Sequence, residues 1–129
     1  MSKSSREMVV AELRAHIARV APARRISSRL PMGIPCLEEY VGGWPCPGMS
    51  LIEGRPGVGR MGLVLPVIRE LTEKGQWVPV VDGAGWLYPP GLKDVDLSKL
   101  ICVQAGVRTA WASVQLARSG GFPLVVVLD

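Results

Sequence analysis

The sequence predicts an α/β fold with a mostly parallel sheet, preceded by an amphipathic N-terminal helix. From residue 49 onward, short apolar runs alternate with a glycine-rich loop and with helical patterns, and this order of elements is typical of parallel sheets. The last run, LVVVLD at residues 124–129, is rich in β-branched side chains, as expected for a buried strand. With 129 residues, of which 48% are apolar, the chain is long enough to form one hydrophobic core.

The N-terminal helix is predicted over residues 4–20. Its apolar side chains recur every three or four residues and therefore share one helix face; they are Val10, Leu13, Ile17 and Val20. The helix should end at Ala21-Pro22, because proline has no amide hydrogen to continue it. Such a stripe must be covered either by the chain's own core or by a neighbouring molecule, and the pattern is compatible with both.

Positive charge is concentrated in this N-terminal part. Residues 1–30 carry seven basic and two acidic side chains, a charge of +5, whereas the remaining 99 residues carry eight basic and nine acidic ones, a charge of −1. A basic arm can contact nucleic acid or an acidic protein surface, although it can also be a solvated helix face. We therefore divide the chain into a helical basic arm, residues 1–23, and a core, residues 24–129.

Several classes of protein are disfavoured by the sequence. No apolar run approaches the roughly 18 residues that a transmembrane helix needs, and the first residues are charged, unlike a secretory leader. The three cysteines are widely spaced without a C-x-x-C pair, so neither a disulfide framework nor a zinc site is predicted. We expect a cytoplasmic protein that binds no metal and no membrane.

The core is predicted to alternate strands and helices. Strands are expected at residues 49–53, 77–82, 100–103 and 124–129, and helices at residues 36–41, 60–74 and 109–118. Gly75 stands where a helix commonly ends, and Pro66 should kink the helix that contains it. Pro79 favours an edge or irregular position for its strand.

A phosphate-binding loop is indicated by the sequence GRPGVGRM between a predicted strand and a predicted helix. Gly54 and Gly59 have the G-x-x-x-x-G spacing, and with Gly57 they allow backbone amides to face an anion. Arg60 replaces the lysine that reaches the phosphates, and Met61 replaces the hydroxyl that binds magnesium. A thioether is a poor ligand for magnesium. The loop is therefore either a degraded ATP and magnesium site or a glycine-rich turn that binds nothing.

Residues 24–129 resemble RecA, the recombinase ATPase. The likeness is carried by RISS, GGWPCPG, the glycine loop with its preceding MSLIE, EKG with VVD, LICVQ, LARSG and VVVLD. The resemblance implies a RecA-like P-loop domain in which VVVLD is the Walker B strand and Asp129 occupies the magnesium-water position. It also implies that Ala84 stands where the family has its catalytic glutamate.

The departures from the family pattern imply a pseudo-ATPase with no catalytic residues and no required cofactor. Lysine, hydroxyl and glutamate are replaced by Arg60, Met61 and Ala84, and alanine cannot activate a water molecule. The remnant of a nucleotide site would consist of Gly54, Gly57, Gly59, Arg60, Met61 and Asp129. Two alternatives stay open, namely a nucleotide-binding switch or slow ATPase, and a DNA-binding module that uses the basic arm.

Among RecA relatives, short degenerate chains of this kind are similar to the ImuA family, the accessory proteins of the mutasome. That family works beside the polymerase-like ImuB and an error-prone polymerase in damage-induced translesion synthesis. The resemblance implies contact with RecA or with an ImuB-like or polymerase partner. We expect the helix stripe to take part, together with Trp86 and Tyr88 on the proline- and glycine-rich segment GWLYPPG.

The resemblance also implies an incomplete sheet at the C-terminus. In RecA-like sheets, the strand between the P-loop strand and the Walker B strand comes later in the chain than residue 129. Unpaired strand edges are costly, so we expect either a longer polypeptide or an oligomer, for example a strand-exchanged dimer, to fill the gap.

Overall fold

The computed structural model describes residues 3–20, 28–55 and 57–128. Within these ranges the fold is α/β with a three-stranded parallel sheet and four α-helices, so the predicted class is confirmed. In chain order the elements are α1 Lys3–Val20, β1 Ser28–Leu30, α2 Pro35–Val41, β2 Trp44–Cys46, α3 Arg60–Glu73, β3 Val78–Asp82, β4 Leu100–Val103, α4 Thr109–Arg118 and β5 Val126–Leu128. Short 3-10 turns lie at Pro89–Gly91, Leu97–Lys99 and Gly106–Arg108.

The chain forms two compact units. One comprises Met1–Leu30 with Trp44–Leu51, and the other comprises Pro31–Gly43 with Ile52–Asp129. In the first unit β1 and β2 form an antiparallel ribbon in which Ser28 lies opposite Cys46. The sequence analysis missed this ribbon, because three-residue strands that include Pro45 carry no recognisable alternation of apolar and polar residues.

Helix α1 confirms the predicted N-terminal helix, and the described part of its apolar stripe is exposed. All of its described side chains are exposed, with 56% of Leu13 and 53% of Ile17 accessible to solvent. Whether the chain's own core or a neighbouring molecule covers the stripe stays open, and the side chain of Val20 lies outside the described residues. Met8 is also exposed and points to the opposite side of the helix, so the apolar surface is broader than one stripe.

The second unit is organised around β3. The strand order is β4-β3-β5, all parallel, with Val78 opposite Leu100 and Val80 opposite Val126. All five residues of β3 are buried, and α3 and α4 both pack against the strand. The helix α3 contributes its buried face to this core through Val67, Ile68, Leu71 and Thr72.

The predicted strand at residues 49–53 is wrong. Residues 49–55 are irregular, and the large side chains of Met49 and Leu51 are exposed. An apolar run forms a strand only where a neighbouring strand can pair with its amides and carbonyls, and no described strand pairs with this one. The described sheet therefore contains no P-loop strand, and the empty position that was expected beside such a strand does not arise in it. Instead β5 pairs with β3 and is an edge strand among them.

Pro79 is found in the central strand, which corrects the expectation of an edge or irregular position. It lies opposite Ile101 of β4, whereas pairing with β5 begins only at the next residue, Val80. Pro79 thus has a paired neighbour on one side only, and the missing amide hydrogen is tolerated at the place where β5 has not yet started.

The end of α3 explains how the chain returns to the sheet. Gly75 adopts a left-handed conformation with φ of 77°, and its amide donates a hydrogen bond to the carbonyl of Thr72 over 3.0 Å. The amide of Gln76 donates to the carbonyl of Leu71 over 2.9 Å, which completes a Schellman motif. The predicted role of Gly75 is confirmed. In the described part of the chain, no helix is long and apolar enough to span a membrane.

Candidate functional site

The glycine loop leads directly into α3, as predicted. Gly57 and Gly59 have φ angles of 84° and 91°, a left-handed conformation that other residues adopt only with strain. A side chain at either position would meet no atom within 4 Å, so the loop is open to solvent on these sides. Gly59 is the N-cap of α3 and supplies no side-chain cap, which leaves the start of the helix as a feature able to attract an anion. Pro56 lies outside the described residues.

The side chains that follow the loop differ in chemistry from those that a working nucleotide site uses. Arg60 is half-buried, and its Cγ and Cδ would lie 3.4 and 3.5 Å from a Cβ added at Gly54, so its stem runs back along the loop. The same added Cβ would lie 2.7 Å from the Val58 side chain, so a larger residue at Gly54 would require that side chain to shift. Met61, also half-buried, offers only a thioether.

Among the described residues, the side chains of the first turn of α3 offer magnesium no oxygen ligand. The hard cation requires oxygen ligands, and Met61 supplies none. Ala84 presents an exposed methyl group just beyond the end of β3. The segment before the loop is irregular, so the loop is not suspended from a sheet strand as the P-loop geometry requires. Asp129 lies outside the described residues.

Titration with ATP and magnesium tests this conclusion. We expect neither saturable heat nor phosphate release at nucleotide concentrations up to about 1 mM, the upper end of ordinary enzyme affinities. A double variant, Arg60→Lys with Met61→Thr, is the matched control, since it returns the charge and the hydroxyl but no catalytic glutamate. Binding by the natural sequence without turnover would favour the nucleotide-switch alternative. Turnover by the natural sequence would show that Arg60, Met61 and Ala84 have been misinterpreted.

A buried carboxylate at the end of β3 organises the loop that follows. Asp82 is only 2% exposed, and its Oδ1 accepts hydrogen bonds from the amides of Gly85 and Trp86 over 3.0 and 3.1 Å. Its Oδ2 accepts a hydrogen bond from the amide of Leu87 over 2.8 Å. Burial acts to raise the pKa of Asp82, but the backbone donors at residues 84–87 outweigh it and lower the pKa below the ordinary value. Asp82 is therefore an ionised anchor rather than a group that exchanges protons at neutral pH.

The sequence analysis quoted Asp82 as part of a strand and did not recognise this role. The available signal was an aspartate at the end of a buried strand, followed by Gly83 and Gly85. Short acidic side chains in that setting commonly accept hydrogen bonds from backbone amides a few residues ahead, which fixes a turn.

The anchored loop carries the two aromatic residues proposed for partner binding. Trp86 and Tyr88 are both largely exposed, as expected from the surrounding prolines and glycines. After Tyr88 the loop closes a 3-10 turn, in which the amide of Gly91 donates a hydrogen bond to the carbonyl of Tyr88 over 2.9 Å. A Cβ at Gly91 would lie 3.2 Å from the Tyr88 ring. The aromatic side chains are thus presented by a loop that Asp82 anchors at its start, and their binding role stays a prediction.

Several elements meet at Gly83, at the carboxyl end of the sheet. Its amide donates a hydrogen bond to the carbonyl of Leu128 over 2.8 Å, and an added Cβ would lie 3.3 Å from both Leu128 and Thr109. The ends of β3 and β5 therefore contact the start of α4. The pKa of the Cys102 thiol on β4 is raised, first by burial and then by the negative charge of Asp82. A thiol with a raised pKa is not an activated nucleophile.

The sequence-predicted residues form separate groups. Trp86 and Tyr88 share one loop, and Arg60 and Met61 share the first turn of α3, whereas the α1 stripe belongs to the other compact unit. Among the residues that the structure describes, no three histidine, cysteine, aspartate or glutamate side chains are close enough together to hold a metal ion. No protein-family model matches the sequence, and a comparison with curated proteins gives no match.

Proposed function

We propose that the chain is a non-catalytic, RecA-like accessory protein that acts in DNA damage tolerance and translesion synthesis through contacts with other proteins. Its partner would be RecA or an ImuB-like or polymerase protein, in the cytoplasm. The proposal is supported by the resemblance over residues 24–129 and by the chemistry of Arg60, Met61 and Ala84, which replace the three groups that ATP hydrolysis needs. An oligomer or strand-exchanged dimer belongs to the same proposal, because β5 is an edge strand of the described sheet.

The observation that carries the proposal is the uncovered apolar face of α1. Val10, Leu13 and Ile17 recur at helical spacing, and each is about half exposed. Full burial of an aliphatic side chain of this size contributes roughly 1.5–3 kcal/mol. Covering the exposed halves of the three side chains would then contribute on the order of 2–4 kcal/mol to docking. That is enough to matter for a weak or regulated contact, and it is a reason to expect a protein surface opposite this face.

Charge next to the stripe favours an acidic partner surface. Exposed Arg6 and Arg14 line a shallow depression on α1 together with Val10, Ala11 and one acidic residue, Glu7, so that positive charge is in excess there. Charged groups at the rim of an apolar contact mainly increase the association rate and select the partner. The partner should therefore present carboxylates around an apolar groove.

The docking role is tested by the double variant Leu13→Asp with Ile17→Asp. We expect at least about a 100-fold loss of affinity for the RecA, ImuB-like or polymerase partner, because two carboxylates would be buried without counter-charges. Affinity should be measured by calorimetry with each purified candidate partner. The matched control is Ser4→Asp with Ala15→Asp, which adds the same charges at exposed positions on the other side of the helix.

The control variant should bind its partner within a few-fold of the natural sequence. Circular dichroism of all three proteins must agree, so that a loss of binding is not a loss of helix. Equal affinities for the stripe variant and the natural sequence would reject α1 as the docking element.

A further inference from the structure

The outer face of α4 carries a second uncovered apolar surface, separate from α1. Val107 is fully exposed, Trp111 is 55% exposed and Val114 is 50% exposed. Val107 lies in the 3-10 turn that precedes α4, and Trp111 and Val114 are three residues apart on one face of the helix. Ala112, which is buried, belongs to the opposite face of α4, where the helix packs against β3. The exposed side chains are thus not part of this unit's own core.

The chain segment that contains this face carries side-chain charge of one sign. From residue 97 to residue 128 the sequence has no acidic side chain, while Lys99, Arg108 and Arg118 are basic. Arg108 lies against the ring of Trp111, with 4.1 Å between the guanidinium carbon and the ring centroid. Arg118 follows Trp111 by seven residues, two helical turns, and therefore lies on the same face at the far end of the helix. The apolar stripe is consequently bordered by an arginine near each end.

We propose that the outer face of α4 is a docking surface for a short amphipathic helix that carries carboxylates beside its apolar residues. From Trp111 to Arg118 this face extends about 10 Å along the helix axis, which matches roughly two helical turns of a partner. An apolar helix face would cover the two valines and Trp111, and glutamate or aspartate side chains would pair with Arg108 and Arg118. Tryptophan and arginine are also the residues that most often dominate binding energy at protein interfaces.

Single-stranded nucleic acid fits the same surface less well. Bases bind by stacking on free aromatic faces, but Arg108 already covers one face of the Trp111 ring. The rest of the stripe is aliphatic, and Val107 and Val114 offer no stacking surface. The observations therefore favour a protein helix over an extended nucleic acid strand.

This inference rests on the proposed function in one respect, since it assumes a protein that works by binding other proteins. It names a different surface and the chemistry of what binds there. The two surfaces can be separated experimentally, because variants of α1 and of α4 change residues in different compact units.

A displayed library of amphipathic helices is a suitable probe. Leucine would occupy the positions of one helix face, and the remaining positions would vary among glutamate, lysine and serine. Selection on the full chain should enrich peptides rich in glutamate beside the leucine face. We expect a selected peptide to bind the Trp111→Ala variant at least about ten-fold more weakly, the loss usual for a central interface tryptophan. Tyr40→Ala, which removes an exposed aromatic from α2, should leave the affinity unchanged.

Charge reversal gives a second and independent readout. The variant Arg108→Glu with Arg118→Glu should no longer bind the glutamate-rich peptide. It should instead bind the same peptide in which lysine replaces each glutamate. Because both arginines lie at the surface, this variant is expected to fold even if the tryptophan variant does not. Failure to enrich any peptide, enrichment of lysine-rich peptides, or equal affinity for the α4 variants would each overturn the inference.

Two further measurements distinguish the possible failures. A single-stranded oligonucleotide that binds the chain and is lost with Trp111→Ala would overturn the helix-docking inference in favour of nucleic acid. The Leu13→Asp, Ile17→Asp variant should bind the selected peptides normally. If the α1 variant no longer binds the RecA or polymerase partner and no peptide is selected on α4, the inference fails and the proposed function stands. If peptides are selected on α4 but the α1 variant binds its partner as the natural sequence does, the proposed function alone is rejected.

Discussion

Replacing Asp82 by alanine is expected to destabilise the second unit by about 3–4 kcal/mol. The substitution removes the acceptor of three backbone hydrogen bonds at a buried site, and hydrogen bonds to a charged group contribute roughly 1.5–3 kcal/mol each before relaxation. Asp82→Asn should cost only about 1–2 kcal/mol. Its carbonyl oxygen can keep the bonds from Gly85 and Trp86, whereas its amide group would face the amide of Leu87, donor against donor.

Urea unfolding measures the stability, and amide hydrogen exchange at Trp86 and Leu87 reports on the loop. Glu73→Ala removes an exposed carboxylate from the end of α3 and serves as the control, with an expected change below about 0.5 kcal/mol. Unchanged stability and unchanged exchange in Asp82→Ala would show that the carboxylate does not anchor the loop.

The same carboxylate gives a pH dependence with a defined sign. The pKa of Asp82 is lowered in the folded state, so the stabilisation is present above the unfolded pKa, near 3.8, and is lost as the pH falls through the lower folded pKa. The natural sequence should therefore lose its advantage over Asp82→Asn only in acid, below about pH 4. If the difference in unfolding free energy between the natural sequence and Asp82→Asn disappeared between pH 5 and 8, a titratable group other than Asp82 would be responsible.

Replacing Ile68 by alanine is expected to have a comparable effect on stability, about 3–4 kcal/mol. Ile68 is fully buried on the face of α3 that packs against β3. The lost methyl groups leave a cavity that a small core cannot close, and a domain of this size has only roughly 5–15 kcal/mol of total stability.

A graded pair of controls identifies the cause. Ile68→Val should cost about 1 kcal/mol, in keeping with one lost methylene group. Val58→Ala, on the exposed glycine loop, should change the stability by less than about 0.5 kcal/mol. Similar midpoints of urea unfolding for all three variants would mean that α3 is not part of the cooperative core.

The helices and strands after residue 60 could be predicted from the sequence because their local signals agree with their surroundings. The left-handed Gly75 ends α3 where the pattern placed a helix end, and α4 begins and ends at the predicted residues. Residues 49–53 carried an equally apolar pattern, but no strand lies beside them to accept their hydrogen bonds. Pairing of that kind depends on distant parts of the chain and is invisible in a five-residue window.

The candidate site was predictable only in its chemistry. The identities of Arg60, Met61 and Ala84 can be obtained from the sequence, and so can the exposure of Trp86 on a proline- and glycine-rich segment. The anchoring role of Asp82 could not be inferred, because it depends on the path of four later amides and on the burial of the carboxylate. The solvent exposure of the outer face of α4 could not be predicted either, since an apolar stripe on a helix more often packs in the core than lies at the surface.

The hydrogen bonds between Asp82 and its loop determine which loop residues can be substituted without changing the path of the loop. The carboxylate bonds only to main-chain amides, which every residue except proline possesses. Gly85, with a φ angle of 74°, is constrained by its conformation, but the side chains at positions 86 and 87 take no part in the anchor. A lineage of such proteins can therefore exchange Trp86 for another residue, and so acquire a different binding preference, while the loop keeps the same course.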